Sequence, residues 1–178
     1  MMLLRTICVL GLAGWLAACG GGGGGGSVDG DAAYVPTTPT SCTLPLQYAN
    51  GSSSGIPITA QTASTDRTFN ACNIAQLQSA KLTVCIDHPT LSEVSGQLRL
   101  SGNSIFSFSA SSGSSISSSC LATSGGSTTL REFTVTPSSL PSVASISNPW
   151  SVVLSDSAPS NNQSGYFVAW ALELQGLR

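Results

Sequence analysis

Charge is what this sequence has least of. Asp, Glu, Lys and Arg make up only 8% of the 178 residues, the formal net charge is -2, aromatics make up 6%, and there is a single histidine. Beyond the first twenty positions the basic residues are Arg67, Lys81, Arg99, Arg131 and Arg178, scattered along the chain. Scattered cations build no stripe that could follow a phosphate backbone, so nucleic acid is excluded as a partner. Glu and Lys are too few for an ordinary helical domain. Ser and Thr take their place, together 48 positions, along with 19 glycines, at a mean hydropathy of +0.23. The length is that of one domain.

The N-terminus reads as an export signal. Met1 to Arg5 carries one positive charge, and Ile7 to Ala18 is an apolar run of twelve. That is short of the ~20 residues that span a bilayer. Leu16-Ala17-Ala18-Cys19 closes the run and resembles the lipobox of bacterial lipoprotein precursors. The resemblance implies that residues 1–18 are removed and that Cys19 is diacylated, with a third chain usually added to the new N-terminus. Two or three chains make a stable anchor where one binds reversibly. Gly20, rather than Asp, after the cysteine resembles the outer-membrane sorting pattern of Gram-negative lipoproteins. The expected location is therefore the bacterial cell envelope, lipid-anchored at the outer membrane, with the membrane itself as one partner.

Gly20 to Gly26 is an unbroken glycine run, followed by Val28-Asp29-Gly30-Asp31 and the Pro36, Pro39 spacing. Glycine has the most conformational freedom to lose, so residues 19–41 are expected to form a disordered tether. As a flexible coil it would span about 26 Å. A phosphate-cradling reading fails for lack of a preceding strand, a following helix and a Lys-Ser/Thr signature. With Cys8 lost in the signal and Cys19 lipidated, Cys42, Cys72, Cys85 and Cys120 remain, an even number in an exported chain, which favours disulfides. Three connectivities exist. Sequential pairing, Cys42 with Cys72 and Cys85 with Cys120, keeps each loop local and is the expected one. No C-x-x-C pair supports a zinc site on these cysteines.

From Cys42 to Arg178 the hydrophobic period is two. Leu82, Val84 and Ile86 alternate with Thr83, Cys85 and Asp87; Leu98 and Leu100 with Gln97 and Arg99; Phe106 and Phe108 with Ser107 and Ser109; Phe133 and Val135 with Glu132 and Thr134. Trp150, Val152 and Leu154 form another row, as do Tyr166, Val168, Trp170, Leu172 and Leu174. Such alternation sends one row to a core and the other to solvent. Turn clusters such as Ser101-Gly102-Asn103, Gly125-Gly126 and Asp156 to Gly165 separate the rows. The expected fold for 42–178 is an all-β sandwich or jelly roll. Ile74 to Gln78 is the one segment that competes as a helical turn.

Five stretches carry a family resemblance: Ile56-Pro57-Ile58; Leu82-Thr83-Val84-Cys85-Ile86-Asp87-His88; Gly96-Gln97-Leu98-Arg99-Leu100; Trp150-Ser151-Val152-Val153-Leu154-Ser155-Asp156; and Gly165-Tyr166-Phe167-Val168-Ala169-Trp170-Ala171-Leu172. In this order they resemble the P domain (P/Homo B domain) that follows the catalytic domain of subtilisin-like proprotein convertases. The resemblance covers about residues 54–174. Gly165, Trp170 and Leu172 give its most specific motif; His88, Trp150 and Asp156 complete the fingerprint. Gln97 stands where the family usually has Asp, unless Glu93 fills that role, and Phe167 replaces a Leu. The resemblance implies a galactose-binding-like jelly-roll β-sandwich that packs on and stabilises a protease, and in some members holds calcium.

Catalysis by this chain alone is not expected. A serine nucleophile needs a histidine base held by a carboxylate, and no G-x-S-x-G elbow is present. His88 extends the Leu82, Val84, Ile86 row and reads as a core-edge imidazole with a satisfied hydrogen bond. Glu93 with Asp87 or Asp156 could be paired for glycoside chemistry, but all three read equally well as strand-end and turn residues. Trp150 and Trp170 read as core. Asp156 reads as a turn former; the sharper alternative is a structural calcium on Asp156, Asn161 and Asn162. Two roles then remain: a recognition or accessory module for a protease or other protein or a glycan, or a structural envelope lipoprotein with no dedicated ligand. Proteolysis enters only through association with a subtilisin-like enzyme. Replacing the hook by Cys19→Ser is expected to move the protein from the membrane pellet to the soluble fraction on cell fractionation.

Overall fold

A computed structural model describes residues 35–117, 120, 128–136, 140, 146–159 and 165–178. Among the described residues ten strands form in chain order: β1 Pro39–Tyr48, β2 Ile56–Pro57, β3 Thr62–Ala63, β4 Gln76–Asp87, β5 Val94–Leu100, β6 Asn103–Ser109, β7 Ser114–Ser115, β8 Thr128–Val135, β9 Trp150–Asp156 and β10 Tyr166–Leu177. Among the described residues there is no α-helix, only 3-10 turns at Leu91–Glu93 and Ala110–Ser112. One sheet runs β1-β10-β4-β8-β7, with β2 also on β10; the other runs β3-β9-β5-β6. Every pairing between these strands is antiparallel. The chain passes back and forth between the sheets, as in a jelly-roll sandwich.

The expected rows meet between the sheets. Leu82, Val84, Ile86, Leu98, Val135, Trp150, Val152 and Leu154 are fully buried, and Leu100 and Phe133 nearly so. Phe108 on β6 and Phe133 on β8 bridge the layers with ring centroids 4.3 Å apart, and Phe106 lies 5.9 Å from Phe108. Such tilted and offset aromatic pairs add to the area they bury. Space for Phe108 comes from its partner across the ladder, Gly96, where a Cβ would overlap the Phe108 ring and the Leu154 methyl. The β5–β6 hairpin turns on Ser101 and Gly102, both at positive φ (49° and 79°), as a two-residue turn with right-handed strand twist requires.

Three expectations need correction. Ile74 to Gln78 is not a helical turn: Ala75 donates its N–H to Leu177 O, and Gln76 onward pairs with β10. The ladder satisfies those backbone groups at long range, which a local turn would have had to do alone. Pro39 to Ser41, assigned to the tether, already pair with Leu177, Gly176 and Gln175. The last strand does not hold one parity. Phe167 pairs with Ile86 and Ala169 with Cys85, so Val168 is the extra residue of a β-bulge. The inner face is therefore Phe167, Trp170, Leu172 and Leu174, while Tyr166 is 42% exposed.

Val168 and Ala169 instead join Cys85 and Leu130 in a second apolar cluster on the outer face of the larger sheet. Cys85 is thus buried, not turned to solvent. The disulfide from Cys85 to Cys120 helps cover that face, and Cys42–Cys72 ties β1 to the segment before β4, with Cα atoms 5.8 and 5.6 Å apart. Both bridges follow the sequential pairing. If the bulge sets the parity, Phe167→Ala will lower unfolding free energy by about 3–5 kcal/mol. Tyr166→Ala will change it by under about 1 kcal/mol; urea unfolding measures both.

Candidate functional site

His88 follows the last residue of β4, where Pro89 stops the strand. Pro89 has no N–H, so the first amide donor past the histidine is Thr90. That N–H donates to His88 Nδ1 at 3.1 Å and closes a tight turn. A backbone amide always carries its hydrogen, so Nδ1 must present a lone pair and the ring proton of the neutral imidazole lies on Nε2. Nε2 faces Asp156 Oδ2 at 3.5 Å, and the two side chains are 0% and 1% exposed. The contact is too long for a good hydrogen bond, and Nε2 has no hydrogen-bond partner among the described residues.

Asp156 arrives from the end of β9 because Val94 of β5 pairs with it. Its Oδ1 accepts the Ala158 N–H at 2.8 Å, the turn-forming role expected for it. The same register places Glu93, just before β5, alongside: Ser157 donates its N–H to Glu93 O at 2.9 Å. Donor atoms of His88, Glu93 and Asp156 lie within 4.8 Å of one another. Gly165 completes the arrangement. Tyr166 pairs with Asp87, which brings Gly165 so close to His88 that a Cβ there would overlap the imidazole and Asp87 O. Beside this cluster is a cavity of about 550 Å³ lined by Asp87, His88, Pro89, Leu91 and Thr129.

The fingerprint residues therefore divide into two groups. His88, Asp156 and Gly165, far apart in sequence, converge at one end of the sandwich. Trp150 and Trp170 are fully buried in the core, and Trp150 Nε1 donates to Ile146 O at 2.9 Å. Gln97 is not with the histidine cluster's partners; its Oε1 accepts Arg99 Nε and Nη2 at 3.1 and 2.8 Å. Glu93 is the acid that joins His88 and Asp156. Cys19, Asn161 and Asn162 lie outside the described residues. Of the oxygen set expected for calcium, the described member is Asp156, whose Oδ1 accepts the Ala158 N–H and whose Oδ2 faces His88 Nε2.

Sequence reading gave no role to Arg67, which proves to be a strut. Its guanidinium lies 4.8 Å from the Trp170 ring centroid and donates to Trp170 O at 2.9 Å and Pro45 O at 2.7 Å. Partial burial pulls it below the usual arginine range. An isolated arginine between polar residues carries no pattern that would announce this.

The class these features define is a two-sheet antiparallel sandwich stapled by two disulfides. No family model matches the sequence, and no curated protein matches it. Among solved structures, "FLHE" superposes with a TM-score of 0.49 at 7% identity, over 80% of this chain and all of that one. A serine protease of Aeromonas sobria gives 0.49 at 16% identity, over 82% of this chain and 28% of the protease. Dimeric latent PorU from Porphyromonas gingivalis gives 0.46 at 13%, over 83% and 14%. The chain thus spans under a third of the last two proteins. Gly165→Ala is expected to cost about 1–3 kcal/mol of stability by forcing the His88 ring and the β4 backbone apart, readable as a lower urea midpoint.

Proposed function

We propose that this chain is a non-catalytic, P-like accessory lipoprotein, held at the bacterial outer membrane through Cys19 and recognising a protein, foremost a protease, or a glycan. The carrying observation is the convergence of His88, Asp156 and Gly165, three separate stretches of the motif series, at one end of the sandwich. The Leu16-Ala17-Ala18-Cys19 lipobox and the glycine tether ahead of β1 support the anchored placement.

A non-catalytic role is supported by the state of the chain's single histidine. His88 is sealed from solvent and its one lone pair is occupied by the Thr90 N–H, so it is not placed to take a proton from a substrate hydroxyl. A rigid sandwich carrying loops at its ends suits recognition.

Affinity capture of the full lipidated chain from a crosslinked membrane fraction tests this. A stoichiometric protease or polysaccharide partner, lost when the tether alone is presented, is the expected result. Recovery of the chain alone would overturn recognition in favour of a spacing role in the envelope.

A further inference from the structure

We infer that the outward face of the smaller sheet carries a binding site for the carboxylate of an acidic sugar, built on Arg99 and Gln97. Its residues are none of those at the histidine end, so it stands or falls apart from the accessory reading.

Cations are few in this chain, and they are not treated alike. Lys81, on the larger sheet, lies between Glu132 and Glu173 at 3.5 and 3.4 Å. Arg99 has no carboxylate partner among the described residues; what it meets is a neutral amide. Its Nε and Nη2 donate to Gln97 Oε1 at 3.1 and 2.8 Å, which occupies one edge of the guanidinium. The other edge, Nη1 with the second hydrogen of Nη2, has no partner among the described residues. A planar fork of this kind matches a carboxylate with two parallel hydrogen bonds. Arginine only donates, so Gln97 must turn its oxygen to Arg99, and its Nε2 is left to donate as well.

The surroundings suit an anion. Leu98 and Leu154 point into the core, which sends the alternate residues of β5 and β9 outward. Those rows are Ser95, Gln97 and Arg99 beside Ser151, Val153 and Ser155, with no acid among them. All but Ser151 line a recess of about 210 Å³, joined by Ser107 of β6 and floored by Val153, which is 3% exposed. That is smaller than the roughly 300–1,000 Å³ pockets of drug-sized ligands, and it suits one ring of a chain that continues along the sheet. At the recess β5 pairs with β6 and β9, and β9 with β5 and β3, so both ladders are full. A peptide finds no strand edge to extend there. Recognition falls to side chains, and serine hydroxyls beside a fork of donors match a hydroxyl-rich ring bearing a carboxylate.

Calorimetric titration of the full chain in detergent micelles tests this with three probes: trigalacturonate, its methyl ester, and a hexaglutamate peptide. The expected result is binding of the acid that weakens with added salt, and none of the ester, which keeps the hydroxyls but loses the charge. Arg99→Gln should weaken the acid about tenfold or more, and Arg99→Lys, a point charge without the fork, should not restore it. No binding of the acid, or equal binding of the ester, overturns the site. So does an affinity that either Arg99 variant leaves at the wild-type value. Tighter binding of the peptide would assign the fork to an acidic protein partner and equally overturn the sugar. The comparison of acid with ester on the unaltered chain decides the matter even if a variant does not fold.

Discussion

The ladder between β4 and β10 is the constraint on which the other features rest. These two twelve-residue strands lie side by side in the larger sheet, and each supplies core side chains to one face and the second apolar cluster to the other. Antiparallel pairing fixes which residues stand opposite, and a slip of one position would exchange inside for outside. The bulge at Val168 makes such an exchange once, deliberately, within the strand. It lets Phe167 and Trp170 both point inward although they are three residues apart, and sends Val168 and Ala169 to the face that Cys85 and Leu130 occupy.

The same ladder builds the polar end of the sandwich. Where β4 runs out at Asp87 and β10 begins at Tyr166, the flanking His88 and Gly165 must meet. The smaller sheet contributes through a separate register, Val94 opposite Asp156, which brings Glu93 and Asp156 to the same place. A fully buried imidazole opposite a fully buried carboxylate is not a stabilising arrangement by default, because charge in a dry interior is costly. The Thr90 and Ala158 amides compensate by holding each side chain through a backbone hydrogen bond. The result is a buried pairing in which each side chain is held by a backbone amide of the turn that follows it.

Much of this was legible in the sequence because period-two burial is a local property. Leu82, Val84 and Ile86, or Trp150, Val152 and Leu154, announce a buried row whatever they pair with. The turn at Ser101-Gly102 was legible for the same reason. The sequential disulfides were legible as the more local of three connectivities. Tyr166 and Val168 were misread because a bulge leaves no mark on an apolar run: Tyr-Phe-Val-Ala-Trp reads the same whether or not one residue is unpaired. Gln76 to Gln78 were misread because their partners, near Leu177, lie about a hundred positions away.

The candidate site divides the same way. Composition and order alone determined that His88 ends a buried row, that Asp156 ends another and turns the chain, and that Gly165 precedes the last strand. They also determined that the chain has no other histidine and few charges to spare. Only the tertiary structure decided that these residues meet, that Glu93 rather than Gln97 is the acid beside them, and that the imidazole proton lies on Nε2. Sequence separation carries no information about register, and the tautomer of a ring is set by the donors around it, which exist only once two sheets have closed.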